Sequence, residues 1–209
     1  MSNLLRTAPP WLRSAAQGLA FWIGHHRTIY SKHEMSEGAL AAELGNLIHS
    51  HLPDKLYLRY EYAYSSLIPK KAFDDDITPQ ARVDLAISEY YRDDAGMRRS
   101  KIQYIVELKR ASASNTRINR DLRRLAGVIE NTKGVRAFLC VASEESRPPQ
   151  FTNEGGYALK SEFKIEGTES VFVVTNVMKA AFLFKDRERA HYVCLIEVVP
   201  PDEPEPYED

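Results

Sequence analysis

The sequence predicts an α/β fold, a mixed central β-sheet flanked by helices. Three observations carry that expectation. Segments that alternate with period two, such as LYLRYEYAYSSL and ARVDLAISEYY, are interspersed with segments of helical period, such as RINRDLRRLAGVIE. VRAFLCVAS is continuously apolar, as expected of a central strand covered on both faces. The order helix, strand, strand, strand, helix, strand calls for both hairpin and crossover connections, so parallel and antiparallel pairs should share one sheet.

Taken in order, PPWLRSAAQGLAFWIGHH predicts a first helix. Pro10 suits its opening turn, and Trp11, Ala15, Leu19 and Trp22 or Ile23 recur at helical spacing. A second helix begins in SEGALAAELGNLIHSHLP, with Ser36 as N-cap, a stripe of Leu40, Leu44, Leu47 and Ile48, and Pro53 as its stop. The tyrosine-rich LYLRYEYAYSSL reads as a strand, followed by a polar loop, KKAFDDDITPQ. ARVDLAISEYY and KIQYIVELKR, joined by the polar turn RDDAGMRRS, form an antiparallel hairpin. After the cap-rich SASNT comes an amphipathic helix that buries Ile118, Leu122, Leu125 and Ile129. VFVVTNV, KAAFLF and HYVCLIEVV read as later strands, the middle one with a short helix as its alternative. Residues 1–200 are therefore expected to form a single domain. The acidic, proline-rich 201–209 reads as a disordered tail.

Composition narrows the function classes. The 209 residues carry a formal net charge of -1, so the chain as a whole is not a polybasic nucleic-acid binder. Cys140 and Cys194 each sit in an apolar run and read as small core residues of a reducing compartment. No apolar run is long enough for a membrane helix, and Arg6, Arg13 and Gln17 interrupt any secretory leader. A cytoplasmic location with no membrane partner is the expectation. No glycine-rich phosphate loop and no His-Glu-x-x-His spacing is present. The six histidines read as surface or helix-end residues, and Asp74 to Asp76 as solvated turn chemistry or a negative patch discouraging unwanted contacts, with a cation site as the alternative.

The chemistry-bearing stretch is IVELKR. Strand side chains alternate, so Glu107 and Lys109 point to one face while Val106 and Leu108 point to the other. On the preceding strand Asp84 alternates with Val83 and Leu85, and hairpin pairing can set it beside Glu107. Two adjacent carboxylates repel unless a cation lies between them, and they suit a hard divalent ion such as Mg²⁺. A nearby lysine either balances that charge as an ordinary salt bridge or holds a water.

R-V-D-L on one strand and V-E-L-K on the next resemble the PD-(D/E)xK, or restriction-endonuclease-like, nuclease superfamily over about residues 35–142. Val83 stands where that pattern has proline. The resemblance implies an αβββαβ core and a Mg²⁺-dependent nuclease, with Mn²⁺ as a substitute ion and DNA favoured over RNA. It implies that Asp84, Glu107 and the carbonyl of Leu108 hold the metal and that Lys109 positions or activates the attacking water. Glu37 would be the additional helix glutamate, with Glu43 as its competitor, and Glu61 a minor candidate for support. A homodimer would be one way for such an enzyme to cut both strands.

Charge distribution adds a separate argument. Met97 to Arg136 holds 11 lysines and arginines against 3 acidic residues, in a chain that is nearly neutral. Arg117, Arg120 and Arg124 share a helix face at i, i+3 and i+7, the footprint expected for a phosphate backbone. A solvated face, with Asp121 paired locally, is the structural alternative. Asp121 can equally orient Lys109 or an arginine. The alternative at the level of function is a catalytically silent module of the same fold that binds nucleic acid or a protein partner.

Overall fold

The computed structural model describes residues 6–30, 33–73, 76–183 and 186–200. Asp74, Asp75 and the 201–209 tail lie outside the described residues. Among the described residues the fold is α/β, with three α-helices and a seven-stranded mixed sheet. The helices are α1 (Pro10–Ile29), α2 (Glu37–His51) and α3 (Asn115–Asn131). The strands are β1 (Leu56–Ala63), β2 (Arg82–Arg92), β3 (Arg98–Arg110), β4 (Arg136–Ser143), β5 (Glu162–Lys164), β6 (Val171–Leu183) and β7 (Asp186–Val199).

Across the sheet the order is β1-β2-β3-β4-β7-β6-β5. Only β3 and β4 run parallel, and α3 is the crossover that their shared direction requires. The helix-strand-strand-strand-helix-strand order expected from the sequence thus runs from α2 to β4. No described helix is long and apolar enough to cross a membrane.

Strand alternation divides the interior into two cores. Phe138, Cys140 and Ala142 of β4 pack on the α1–α2 side, while Ala137, Leu139 and Val141 pack on the α3 side. The apolar run of β4 is therefore explained by helices on both faces of its sheet. Cys140 and Cys194 are buried free thiols that belong to opposite cores, and burial pushes the Cys194 thiol up to about 12. Pro10 opens α1, and the side chains of Ser36 and Ser114 cap α2 and α3 by accepting the N–H groups of Ala39 and Arg117.

Four local expectations change. The strand read through YAYSSL ends at Ala63, and Tyr64–Ser66 form a 3₁₀ turn that drops Tyr64 into the α3-side core. VFVVTNV and the described part of the next segment, KAAFL, belong to one continuous strand, β6, because pairing with β7 carries the backbone through both, while Phe184 lies outside the described residues. Ile23, not Trp22, is fully buried on α1, and Ile129, two residues from the C-terminal end of α3, is only partly buried. His191 is buried on β7, where its Nδ1 accepts the Glu145 N–H at 3.2 Å, and burial lowers its pKa.

Leu139 is fully buried in the central strand. Leu139→Ala should cost about 2–5 kcal/mol through lost transfer energy and the cavity left behind. Ser114→Ala should cost about 1 kcal/mol through loss of one cap. Denaturant midpoints with unchanged slopes would check both.

Candidate active site

The site begins where a strand pair comes apart. The β2–β3 ladder runs from Arg92/Arg98 and ends at Leu85/Val106. β2 stays paired with β1 to Arg82, so it leaves β3 while still inside the sheet. In the opening, the Asp84 carboxylate replaces the missing backbone acceptor, and the Leu108 N–H donates to its Oδ2 at 2.7 Å. Glu107, on the adjoining strand, is only 3% exposed. Its Oε1 accepts the Tyr64 hydroxyl at 2.7 Å, across 43 residues of sequence.

Lys109 points to the same face. Its ammonium lies 3.0 Å from Glu37 Oε2 and 3.0 Å from Asp121 Oδ2. Glu37 occupies the first turn of α2, just after the Ser36 cap, and approaches across the open end of the sheet. Glu43, six residues further along α2, forms no ion pair among the described residues. Asp121 comes from the opposite side, on α3, and is 1% exposed. The structure therefore assembles Asp84, Glu107, Lys109, Glu37, Asp121 and Tyr64 from five elements.

A cleft of about 200 Å³ opens beside them, lined by Glu37, Ala41, Tyr60, Glu61, Asp84 and Leu108. Glu61 adopts φ 50°, a left-handed conformation that costs a non-glycine residue of order 1 kcal/mol. This residue is skipped by the β1–β2 register, and its carbonyl accepts Arg82 Nη1 at 2.9 Å. The strained turn shapes the cleft wall next to Asp84 and leaves the Glu61 side chain exposed.

Burial sets the electrostatics. Burial raises the Asp84 carboxyl above its usual range, partly offset by the Leu108 N–H and by a hydrogen bond with Glu107. Glu107 is raised much further, first by burial and then by the charge of Asp84. Burial and mutual repulsion thus favour the protonated form at Glu107 more than at Asp84. Burial also holds the Tyr64 phenol well above 10, with the Glu107 charge adding to it, so Tyr64 remains a donor. Burial opposes the Lys109 ammonium, but Asp121 and Glu37 outweigh it and hold its pKa above the ordinary value.

Two carboxylates beside the Leu108 backbone offer hard oxygen donors, the set that Mg²⁺ uses when it keeps most of its waters. Among the described residues no three His, Cys, Asp or Glu side chains converge on a common metal position. The fit to a metal accordingly rests on Asp84, Glu107 and Leu108. Burial is the first cause of the raised pKa values of the two carboxyls, and for Glu107 the neighbouring Asp84 charge is the second.

The arginine face is divided. Arg117 and Arg120 are exposed. Arg124 turns inward, with Nε donating to the Asp76 carbonyl at 2.6 Å and Nη1 3.4 Å from Asp121. Arg123 pairs with the Asp76 carboxylate. Asp76 is thus a clasp on α3, and Arg124 serves that clasp while Arg117 and Arg120 face solvent.

Asp121 was legible as a partner of Lys109 or an arginine, and it touches both. An acid between Ile118 and Leu122 on the apolar stripe was its signal. The role of Tyr64 had no such signal, because tyrosine in an alternating segment reads first as packing. Compared with protein-family models, with curated proteins and with solved structures, the chain matches none.

The raised Glu107 carboxyl predicts a pH dependence. With rising pH the unfolded Glu107 ionises first, while the folded residue keeps its proton, so this group removes stability between the ordinary carboxylate range and its raised folded value. Without added metal, Glu107→Gln should gain on the wild type as pH rises from about 5 to about 8, an interval above the ordinary carboxylate pKa. Denaturation at a series of pH values measures this, and a gap that does not vary with pH would show an ionised carboxylate instead.

Proposed function

We propose that the chain is a divalent-metal-dependent nuclease of the PD-(D/E)xK type, hydrolysing phosphodiester bonds in nucleic acid, with DNA favoured over RNA. The observation that carries the reading is the placement of Asp84 and Glu107 at the point where β2 leaves β3, with Lys109 on the same face. The αβββαβ order from α2 to β4 supports the corresponding core.

In this reading Asp84, Glu107 and the Leu108 carbonyl hold Mg²⁺, with Mn²⁺ as the substitute. When bound, the ion supplies Lewis acidity at the scissile phosphate. Tyr64 fixes the Glu107 carboxyl by its hydrogen bond, and the Leu108 N–H fixes Asp84. Asp121 anchors Lys109 as a cation from the interior, while Glu37, at the cleft, is the partner that can yield to solvent. Lys109 then directs an N–H toward the attacking water. A positively charged lysine orients water rather than accepting its proton, so the electrostatic role takes precedence over general-base action. Arg117 and Arg120 neutralise backbone phosphates beside the site.

The second reading is a catalytically silent nucleic-acid-binding or partner-binding module. One observation favours it. Lys109 already has two carboxylate partners within the fold, Glu37 and Asp121, each 3.0 Å away.

Digestion of plasmid and single-stranded substrates with Mg²⁺, Mn²⁺ or EDTA separates the two. Cleavage should require the divalent ion and vanish in Asp84→Ala. In Lys109→Ala turnover should fall by about 10² to 10³, the usual cost of removing one preorganised electrostatic donor, with binding retained. A wild type that binds but never cuts establishes the silent module.

The arginines are tested through salt. Replacing Arg117 and Arg120 by Ala should flatten the log–log salt dependence of duplex binding by about 0.9 for each phosphate that is no longer neutralised. Replacing Arg124 should mainly lower stability, because its hydrogen bonds are internal.

A further inference from the structure

α3 presents a second surface that the proposed metal chemistry does not use. On the flank turned away from Asp121, a cleft of about 190 Å³ lies between the helix and β6. Ile118, Leu122 and Phe151 form a buried apolar floor, and Phe172 forms a partly buried wall. Phe163 stacks behind Phe172, with ring centroids 5.0 Å apart and planes 17° from parallel. Phe151 meets Phe172 edge-on at 6.2 Å. The rim is polar and uncharged. Asn115, Asn119 and Gln150 are exposed there, and Gln150 donates to Asn115 Oδ1.

Carboxamides above an aromatic and aliphatic slot are the chemistry that recognises a nucleobase. The ring faces gain by stacking and apolar contact, while amide donors and acceptors read the ring edge. The cleft is below the roughly 300–1,000 Å³ usual for larger ligands and has room for one planar ring system. Arg120 immediately follows Asn119 in the helix and is exposed, as is Arg117. A phosphate over these arginines places the attached nucleotide astride α3, with its base directed to the far flank.

We propose that this cleft binds an unstacked base, so that the strand engaged by α3 is single-stranded or locally opened. A base inside a duplex offers its edges to a groove but keeps both faces covered, and the apolar floor of this cleft requires a free face. The two exposed arginines favour a polyanion over an apolar peptide side chain as the occupant. The inference rests on the nucleic-acid reading of α3, but it does not depend on catalysis.

The test uses the full chain in EDTA, so that binding is read without cutting. The probes are a short single-stranded DNA bearing one 2-aminopurine, the same strand with an abasic residue in its place, and the matching duplex. The intact single strand should bind more tightly than either comparator, and 2-aminopurine fluorescence should be quenched on binding. Phe172→Leu should weaken intact-strand binding by about 5- to 150-fold, the range of one base–aromatic stack, and abolish the quench. Asn119→Ala with Gln150→Ala, at exposed positions, should remove preference among bases while preserving the fold. Arg120→Ala should weaken intact and abasic strands equally. Equal affinity for intact and abasic strands, with no quench, overturns the proposal even if the protein cuts DNA. Base-dependent binding by a protein that cuts under no divalent ion upholds the cleft and removes the nuclease reading alone.

Discussion

The separation of β2 from β3 is the constraint on which the site depends. Beyond Leu85/Val106 the ladder no longer supplies an acceptor for the Leu108 N–H, and a buried unpaired amide costs about 1–3 kcal/mol. The Asp84 carboxylate provides that acceptor. The same bond holds Asp84 beside Glu107, where burial raises both carboxyls. Backbone satisfaction and the chemical character of the site are consequently one feature of the sheet.

Charge is then distributed by distance from solvent. Asp121 and Glu107 are nearly inaccessible, whereas Glu37 lies in a cleft wall. Lys109 is shared between an inner acid that has no route to water and an outer acid that has one. This asymmetry makes the Glu37 pair the easier one to exchange, because an exposed ion pair is worth little and a buried one is costly to break. Arg124 extends the arrangement from Asp121 to the Asp76 carbonyl, so the loop at Asp76 and the side chain of Lys109 are tied to the same turn of α3.

α3 is the element that separates the two clefts. Its buried stripe packs Ile118, Leu122 and Leu125 against the sheet and fixes the helix axis. One flank carries Asp121 and Arg124 to the carboxylate site, the other carries Asn115 and Asn119 to the Phe172 cleft, and Arg117 and Arg120 remain in solvent.

Much of this was determined by the sequence alone. Periodicity specifies α1, α2, α3 and the β2–β3 hairpin because a helix or strand must turn its apolar side inward, whatever it packs against. Alternation placed Glu107 with Lys109, and the caps at Ser36 and Ser114 are local hydrogen bonds. The preference for Glu37 over Glu43 followed from its place ahead of the apolar stripe. Tertiary structure alone decided the rest, since burial and partners belong to space and not to spacing. Three arginines on one helical face look equivalent in sequence, yet only Arg124 finds the Asp76 carbonyl within reach. Tyr64 leaves an alternating segment because the 3₁₀ turn at Tyr64–Ser66 carries it beneath the sheet, to a carboxyl 43 residues away. A hydroxyl on a side chain becomes a hydrogen bond to Glu107 only when folding removes the water that would otherwise take its place.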